Sequence, residues 1–295
     1  MNSKESHMAN SERRKVVLVT GASAGIGKSI ARRLLADGWT VYGGARRVEQ
    51  MEDLRTTGAR ILALDVTDEA SMRAAVDALL VAEGRLDALV NDAGYGSYGA
   101  LEDVPLAEAR RQFEVNVFGL MRLTQLVLPA MRAAGAGTIV NVSSMGGRIW
   151  MPIGGWYHAT KHALEVLSDV LRVETRPFGV RVVVVQPGLI ESEWSGVAAE
   201  TLARTAKGSA YRRLVDPVMR TLRSYSGASS PDVIAAAVSK ALHARAPRRR
   251  YAAPIDARVF IFLRWLLPEG AWERLLLAVF RFLGRPSAPA AIGRE

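Results

Sequence analysis

Tyr157-His158-Ala159-Thr160-Lys161 sets a phenol and an ammonium four residues apart, a spacing that brings both onto one face of a helix. A phenol titrates near 10 in water. A unit positive charge about 4 Å away, at an effective dielectric of about 20, favours the phenolate by roughly 4 kcal/mol, enough to carry that titration toward neutrality. Such a pair can exchange a proton with a substrate oxygen. Only six of the 39 basic residues are lysines, at positions 4, 15, 28, 161, 207 and 240. Seven tyrosines would therefore meet a lysine at this spacing about 0.14 times by chance. An arginine would solubilise a helix equally well, but it does not replace a compact ammonium that donates to neighbouring hydroxyls.

A second constellation is Thr20-Gly21-Ala22-Ser23-Ala24-Gly25-Ile26-Gly27. Missing side chains at three positions let backbone N–H groups approach a pyrophosphate, provided a strand precedes the loop and a helix follows it. An acid about 20 residues further on would accept from a ribose 2′-OH and repel a 2′-phosphate. The chain instead reads Gly44-Ala45-Arg46-Arg47, with two guanidiniums able to fork onto phosphate oxygens, which predicts NADP(H) rather than NAD(H).

Short β-branched runs alternate with helical patterns from residue 15 to about 186, as repeated βαβ units of a parallel sheet require. Strands are expected at Lys15 to Thr20, Thr40 to Gly44, Arg60 to Ala63, Ala88 to Asn91, Gly137 to Ser143, Val180 to Gln186 and Arg250 to Ala253. Gly38, Gly58, Gly84, Gly135 and Gly179 stand where helices should end, Pro105 suits a first helical turn, and Ser230 and Pro231 suit a helix start. The fold class is α/β: a doubly wound (Rossmann) parallel sheet in a single domain over 14–255, with a C-terminal helical extension over 256–295. The polar leader 1–13 is expected to be disordered and carries no secretory signal; Ser6-His7-Met8 has the look of a cloning scar.

With the glycine loop, Asn91-Asp92-Ala93-Gly94 after the fourth strand and the Tyr/Lys pair, the chain resembles the short-chain dehydrogenase/reductase family in its standard, non-extended form, over about residues 14 to 195. The resemblance implies a catalytic set of Asn116, Ser144, Tyr157 and Lys161. Ser144 is chosen over Ser143 by its spacing to Tyr157 in the family pattern. Tyr157 would donate the proton, Ser144 would hydrogen-bond the same oxygen, Lys161 would lower the tyrosine pKa and hold the nicotinamide ribose, and Asn116 would position a water. By the same resemblance the cofactor would meet Gly21, Ser23, Ala24, Gly25, Ile26, Gly27, Arg46, Arg47, Asp65, Val66, Asn91, Ala93, Gly94, Pro187, Gly188, Ile190 and Ser192, besides Tyr157 and Lys161. Asp92 and Ser192 depart from the usual Asn and Thr; neither change removes a catalytic group. A homodimer or homotetramer is implied, with the helices bearing Asn116 and Tyr157 at subunit contacts. A non-catalytic NADP(H)-binding sensor on the same fold is the alternative, although such a protein need not keep Ser, Tyr and Lys together.

Ile149, Trp150, Met151, Ile153, Trp156 and Trp194 predict an apolar substrate site for a lipophilic ketone or alcohol, under a lid over about 189–230. In the C-terminal extension Arg274, Arg281 and Arg285 share one helical stripe. Such a helix can lie on an anionic membrane; the alternative is packing over the substrate cleft or a partner subunit. Its halves are too short to span a bilayer. A net charge of +10 invites a nucleic-acid reading, but the arginines are scattered without aromatic interleaving, so no nucleic acid is expected. Zero cysteines exclude a thiolate metal site, the four histidines show no ligand grouping, and a cytoplasmic location fits.

Overall fold

The computed structural model describes residues 14–224 and 228–283. The leader 1–13 and Arg285 lie outside them. Seven parallel strands form one sheet in the order β3-β2-β1-β4-β5-β6-β7. They are β1 Val16–Thr20, β2 Thr40–Ala45, β3 Arg60–Ala63, β4 Ala88–Asn91, β5 Gly137–Val142, β6 Val180–Pro187 and β7 Arg250–Ala253. Both faces of the central strands are buried, so they read as continuous Val- and Leu-rich runs.

Helices cover the two faces: α1 Gly25–Ala36, the short α2 Glu52–Thr56, α3 Glu69–Glu83, α4 Leu106–Phe113, α5 Leu120–Ala133, α6 Gly155–Thr175, α7 Glu193–Thr205, α8 Arg212–Ser224, α9 Asp232–His243, α10 Ile255–Leu266 and α11 Glu269–Leu283. One core packs Ile30, Leu34, Ile234 and Val238 onto Val17, Val19 and Val183; the other packs Leu79, Leu123, Val127 and Leu171 onto Leu18, Leu89 and Val182. The five glycines expected to end helices all take positive φ, from 63° to 103°.

Boundaries differ by a residue or so. β2 runs on to Ala45 and β6 to Pro187, whereas β5 stops at Val142 because the chain turns at Ser144. Pro105 and Pro231 stand just before their helices rather than inside the first turn, and the Ser230 hydroxyl accepts from the Asp232 N–H at 3.2 Å. Between α4 and α5 the helix opens into a π-turn, Glu114–Gly119. Strand order reverses between β1 and β4, so a crevice opens beyond their carboxyl ends.

Candidate active site

Thr20, the last residue of β1, accepts from the N–H groups of Asp92 and Ala93 through its hydroxyl, both at 3.0 Å, which ties the glycine loop to the turn after β4. Gly21 at φ +70° lies so near that turn that a Cβ would come 3.0 Å from the Ala93 nitrogen; Gly25 is at φ +53°. The loop is thus a shallow cradle of backbone at the start of α1, whose first N–H groups lack partners within the helix. That shape fits a pyrophosphate. Gly27 does not reach the cavity; a side chain there would strike the Gly21 carbonyl at 2.5 Å, so its task is close packing of helix on loop.

The crevice continues as one cavity of about 910 Å³. Along its glycine-cradle end stand Ser23, Ala24, Ile26, Arg46, Arg47, Asp65, Val66, Ala93, Gly94, Pro187, Gly188, Ile190 and Ser192, all candidates from the sequence. Asn91 does not: its amide donates to Asn141 of β5 at 2.9 Å and to Thr124 of α5 at 3.1 Å, so it braces β4 against the next strand and the helix packed on it. The arginine pair is also divided. Both line the groove, but Arg47 is bridged to Glu193 of α7 at 3.2 Å, whereas Arg46 lies close enough to Asp65 to act on its carboxyl. Burial of the Asp65 carboxyl is outweighed by two hydrogen bonds from Thr67 and by the charges of Arg46 and Arg111, which hold it below the usual carboxylate range. Arg111, on α4, was not read from the sequence; only the fold brings it beside Arg46 and Tyr95.

Tyr157 and Lys161 sit one turn apart on α6, each 7% exposed, with the ammonium 6.0 Å from the phenol ring centre. Tyr98 and Trp194 pack on the tyrosine ring at 5.9 and 5.2 Å. Lys161 donates to the Val142 carbonyl at 3.0 Å. Burial pushes its pKa down to about 8 against the pull of the Asp92 and Glu165 carboxylates. Asp92 is pushed up to about 7 by burial, opposed by Lys161 and by the N–H of Gly27. His158 is held near 4 by burial and stays neutral, hydrogen-bonded to the Gly146 carbonyl at 2.9 Å. Ser144 lines the cavity and its oxygen accepts from the Gly146 N–H at 3.0 Å. Ser143 lines it as well, but its hydroxyl oxygen lies 2.8 Å from where a Gly147 Cβ would stand, toward α6. Asn116 does not point into the cavity. From the π-turn its amide oxygen accepts from the Tyr95 N–H at 3.1 Å, and its nitrogen donates to the Tyr95 carbonyl at 2.9 Å and to Thr160 at 3.1 Å, so it clamps the loop after β4 to α6.

On the substrate side the structure keeps Ile149, Met151 and Trp194 in the cavity wall but removes three expected residues. Trp150 and Ile153 face a separate, smaller hollow of about 410 Å³, and Trp156 packs on Phe113 with ring centres 6.4 Å apart. The roof comes instead from α8, α10 and α11, through Val218, Leu222, Phe260, Leu263, Trp272 and Leu276. Asp256 anchors it, accepting from the Leu189 N–H at 2.8 Å, and the Trp272 indole donates to the Trp150 carbonyl at 3.3 Å. These contacts lay the C-terminal helices α10 and α11 over the cleft.

The model of the family described as short chain dehydrogenase matches residues 15–203. A probable short-chain type dehydrogenase/reductase of Helicobacter pylori is 33% identical over 92% of this chain and 98% of its own length. An NADPH-dependent 3-dehydrocapnine reductase of Ornithobacterium rhinotracheale is 31% identical over 88% of this chain and 95% of its own. The crystal structure of a short-chain dehydrogenase from Streptomyces avermitilis superposes with a TM-score of 0.73 at 36% identity, covering 92% of this chain and 96% of that one.

Proposed function

This chain belongs to the short-chain dehydrogenase family, and from that premise we propose that it is an NADP(H)-dependent oxidoreductase interconverting a carbonyl and an alcohol on a lipophilic substrate. One observation carries the reading: a single cavity joins the glycine cradle and Arg46 at one end to an apolar chamber at the other, with Tyr157, Lys161 and Ser144 between. The cradle and Arg46 would hold a dinucleotide, whose nicotinamide would supply or take a hydride. The rest falls to the protein. Tyr157 gives its proton to the carbonyl oxygen where negative charge develops. Ser144 steadies the same oxygen, because its own oxygen accepts from Gly146 and its O–H remains to donate. Lys161 spends one N–H on Val142, and its remaining N–H groups would hold the phenol and the nicotinamide ribose. In the oxidising direction the phenolate is the base. Asn116 acts as a positioning residue through Tyr95 and Thr160.

NADP(H) is favoured by Arg46 and the lack of an acid at the end of β2, and by a relative whose name gives an NADPH-dependent reduction. A lipophilic substrate is favoured by the chamber of Met151, Trp194, Leu222, Phe260, Leu263 and Trp272. Calorimetric titration with NADPH and NADH tests the cofactor without the substrate. NADPH should bind at least about tenfold more tightly, and Arg46→Ala should erase most of that difference. Equal affinities in the unmodified protein would contradict the 2′-phosphate reading.

A further inference from the structure

The cavity's roof has an outer surface that the oxidoreductase chemistry leaves unexplained. α10 turns Phe260 and Leu263 inward to the chamber, yet Ile255, Val259, Phe262, Trp265 and Leu266 form a second apolar stripe on its outside, 46 to 78% exposed. Phe262 and Trp265 stack there with ring centres 5.9 Å apart. A helix that is apolar on both faces belongs in a core or in lipid. Among the described residues no helix is long and apolar enough to cross a membrane, so α10 does not span one, and a stripe of this kind fits either a bilayer surface or an apolar partner.

Charge selects the kind of surface. α11 packs on α8. Together these two helices expose Arg212, Arg213, Arg220, Arg223, Arg274 and Arg281, against exposed Asp216, Glu269 and Glu273. A second copy seated by a two-fold axis on this roof would set those arginines against their own like, whereas anionic headgroups attract them. Thr221 of α8 and Val279 of α11 are both exposed and both line the cavity, so the chamber opens between the two arginine-bearing helices.

We propose that α8, α10 and α11 dock on an anionic lipid bilayer, with the α10 stripe sunk among the acyl chains and the Thr221/Val279 opening facing the lipid, so that an apolar substrate enters from the membrane. This surface does not depend on the identity of the cofactor.

Sedimentation with vesicles of phosphatidylglycerol and phosphatidylcholine tests it, beside vesicles of phosphatidylcholine alone. The protein should bind the anionic vesicles, at least tenfold more tightly at 50 mM than at 500 mM salt. Phe262→Ser/Trp265→Ser and Arg274→Glu/Arg281→Glu should each lower that binding at least tenfold while leaving the melting curve and the affinity for NADPH unchanged. Absence of vesicle binding, binding that neither variant weakens, or a dimer that Phe262→Ser/Trp265→Ser splits without any lipid binding would each overturn the proposal.

Discussion

A carboxyl at position 92, where the family pattern has an amide, ties the glycine loop to Lys161: it meets the N–H of Gly27 on one side and the charge of Lys161 on the other. Burial raises Asp92 to about 7, so between about 4 and 7 the folded state binds the proton that the unfolded chain releases, and stability falls as pH rises through that window. Lys161 acts oppositely and at higher pH. Its pKa is lowered to about 8, so the folded state gives up a proton that the unfolded chain keeps, and stability rises with pH above 8. Asp92→Asn should therefore gain on the parent by about 1–3 kcal/mol as pH rises from 5 to 7.5, measured by thermal unfolding. An identical pH slope in both proteins would refute the coupling. From the sequence Asp92 was a tolerable exchange, and Asn91 and Gly27 were cofactor contacts. Adjacency across 70 residues decides these roles, and a linear motif does not contain it.

At the scale of elements, the strands and the helix-ending glycines were legible because β-branched runs and left-handed turns leave local marks. Helix α6 was legible for the same reason, since the Tyr157/Lys161 spacing is itself a helical period. The π-turn at Asn116 and the roof were not. The outer stripe of arginines drew attention to the C-terminal segment, but that Phe260 and Trp272 wall the chamber depends on contacts to residues more than 100 positions earlier. Asp256 is the joint. It accepts from the Leu189 N–H at 2.8 Å and from the Ala257 N–H at 2.8 Å, binding the start of α10 to the segment that lines the cofactor groove. Asp256→Ala should cost about 1–2 kcal/mol in chemical denaturation, because it leaves two backbone N–H groups without their carboxylate partner. It should also raise KM severalfold for a bulky apolar ketone and much less for a small one. Equal changes for both substrates would show that the roof does not touch the substrate.

Across the whole molecule, one more apolar surface stands apart from the site. Val166, Val170 and Val173 lie one turn apart on the outside of α6, 49 to 68% exposed, and Phe118 of the π-turn is 56% exposed. These are the two segments that carry Tyr157 and Asn116, so pairing of copies here would stiffen the catalytic helix from behind. Val170→Asp should convert a dimer or tetramer to a smaller species by light scattering after gel filtration, because a carboxylate in such a seam loses its water. An unchanged mass would place the contact elsewhere. Parallel topology and family were readable from the sequence; which outer faces stay apolar was not, because exposure belongs to the folded chain.

The central claim is that the phenol of Tyr157 is the proton donor to the reacting oxygen. Its most direct test is turnover of a ketone already shown to consume NADPH with this protein, compared between the parent and Tyr157→Phe. The phenylalanine variant should retain NADPH affinity within about twofold and lose at least about 10²-fold in kcat, the usual span for a general acid. Undiminished kcat with intact cofactor binding would contradict the account.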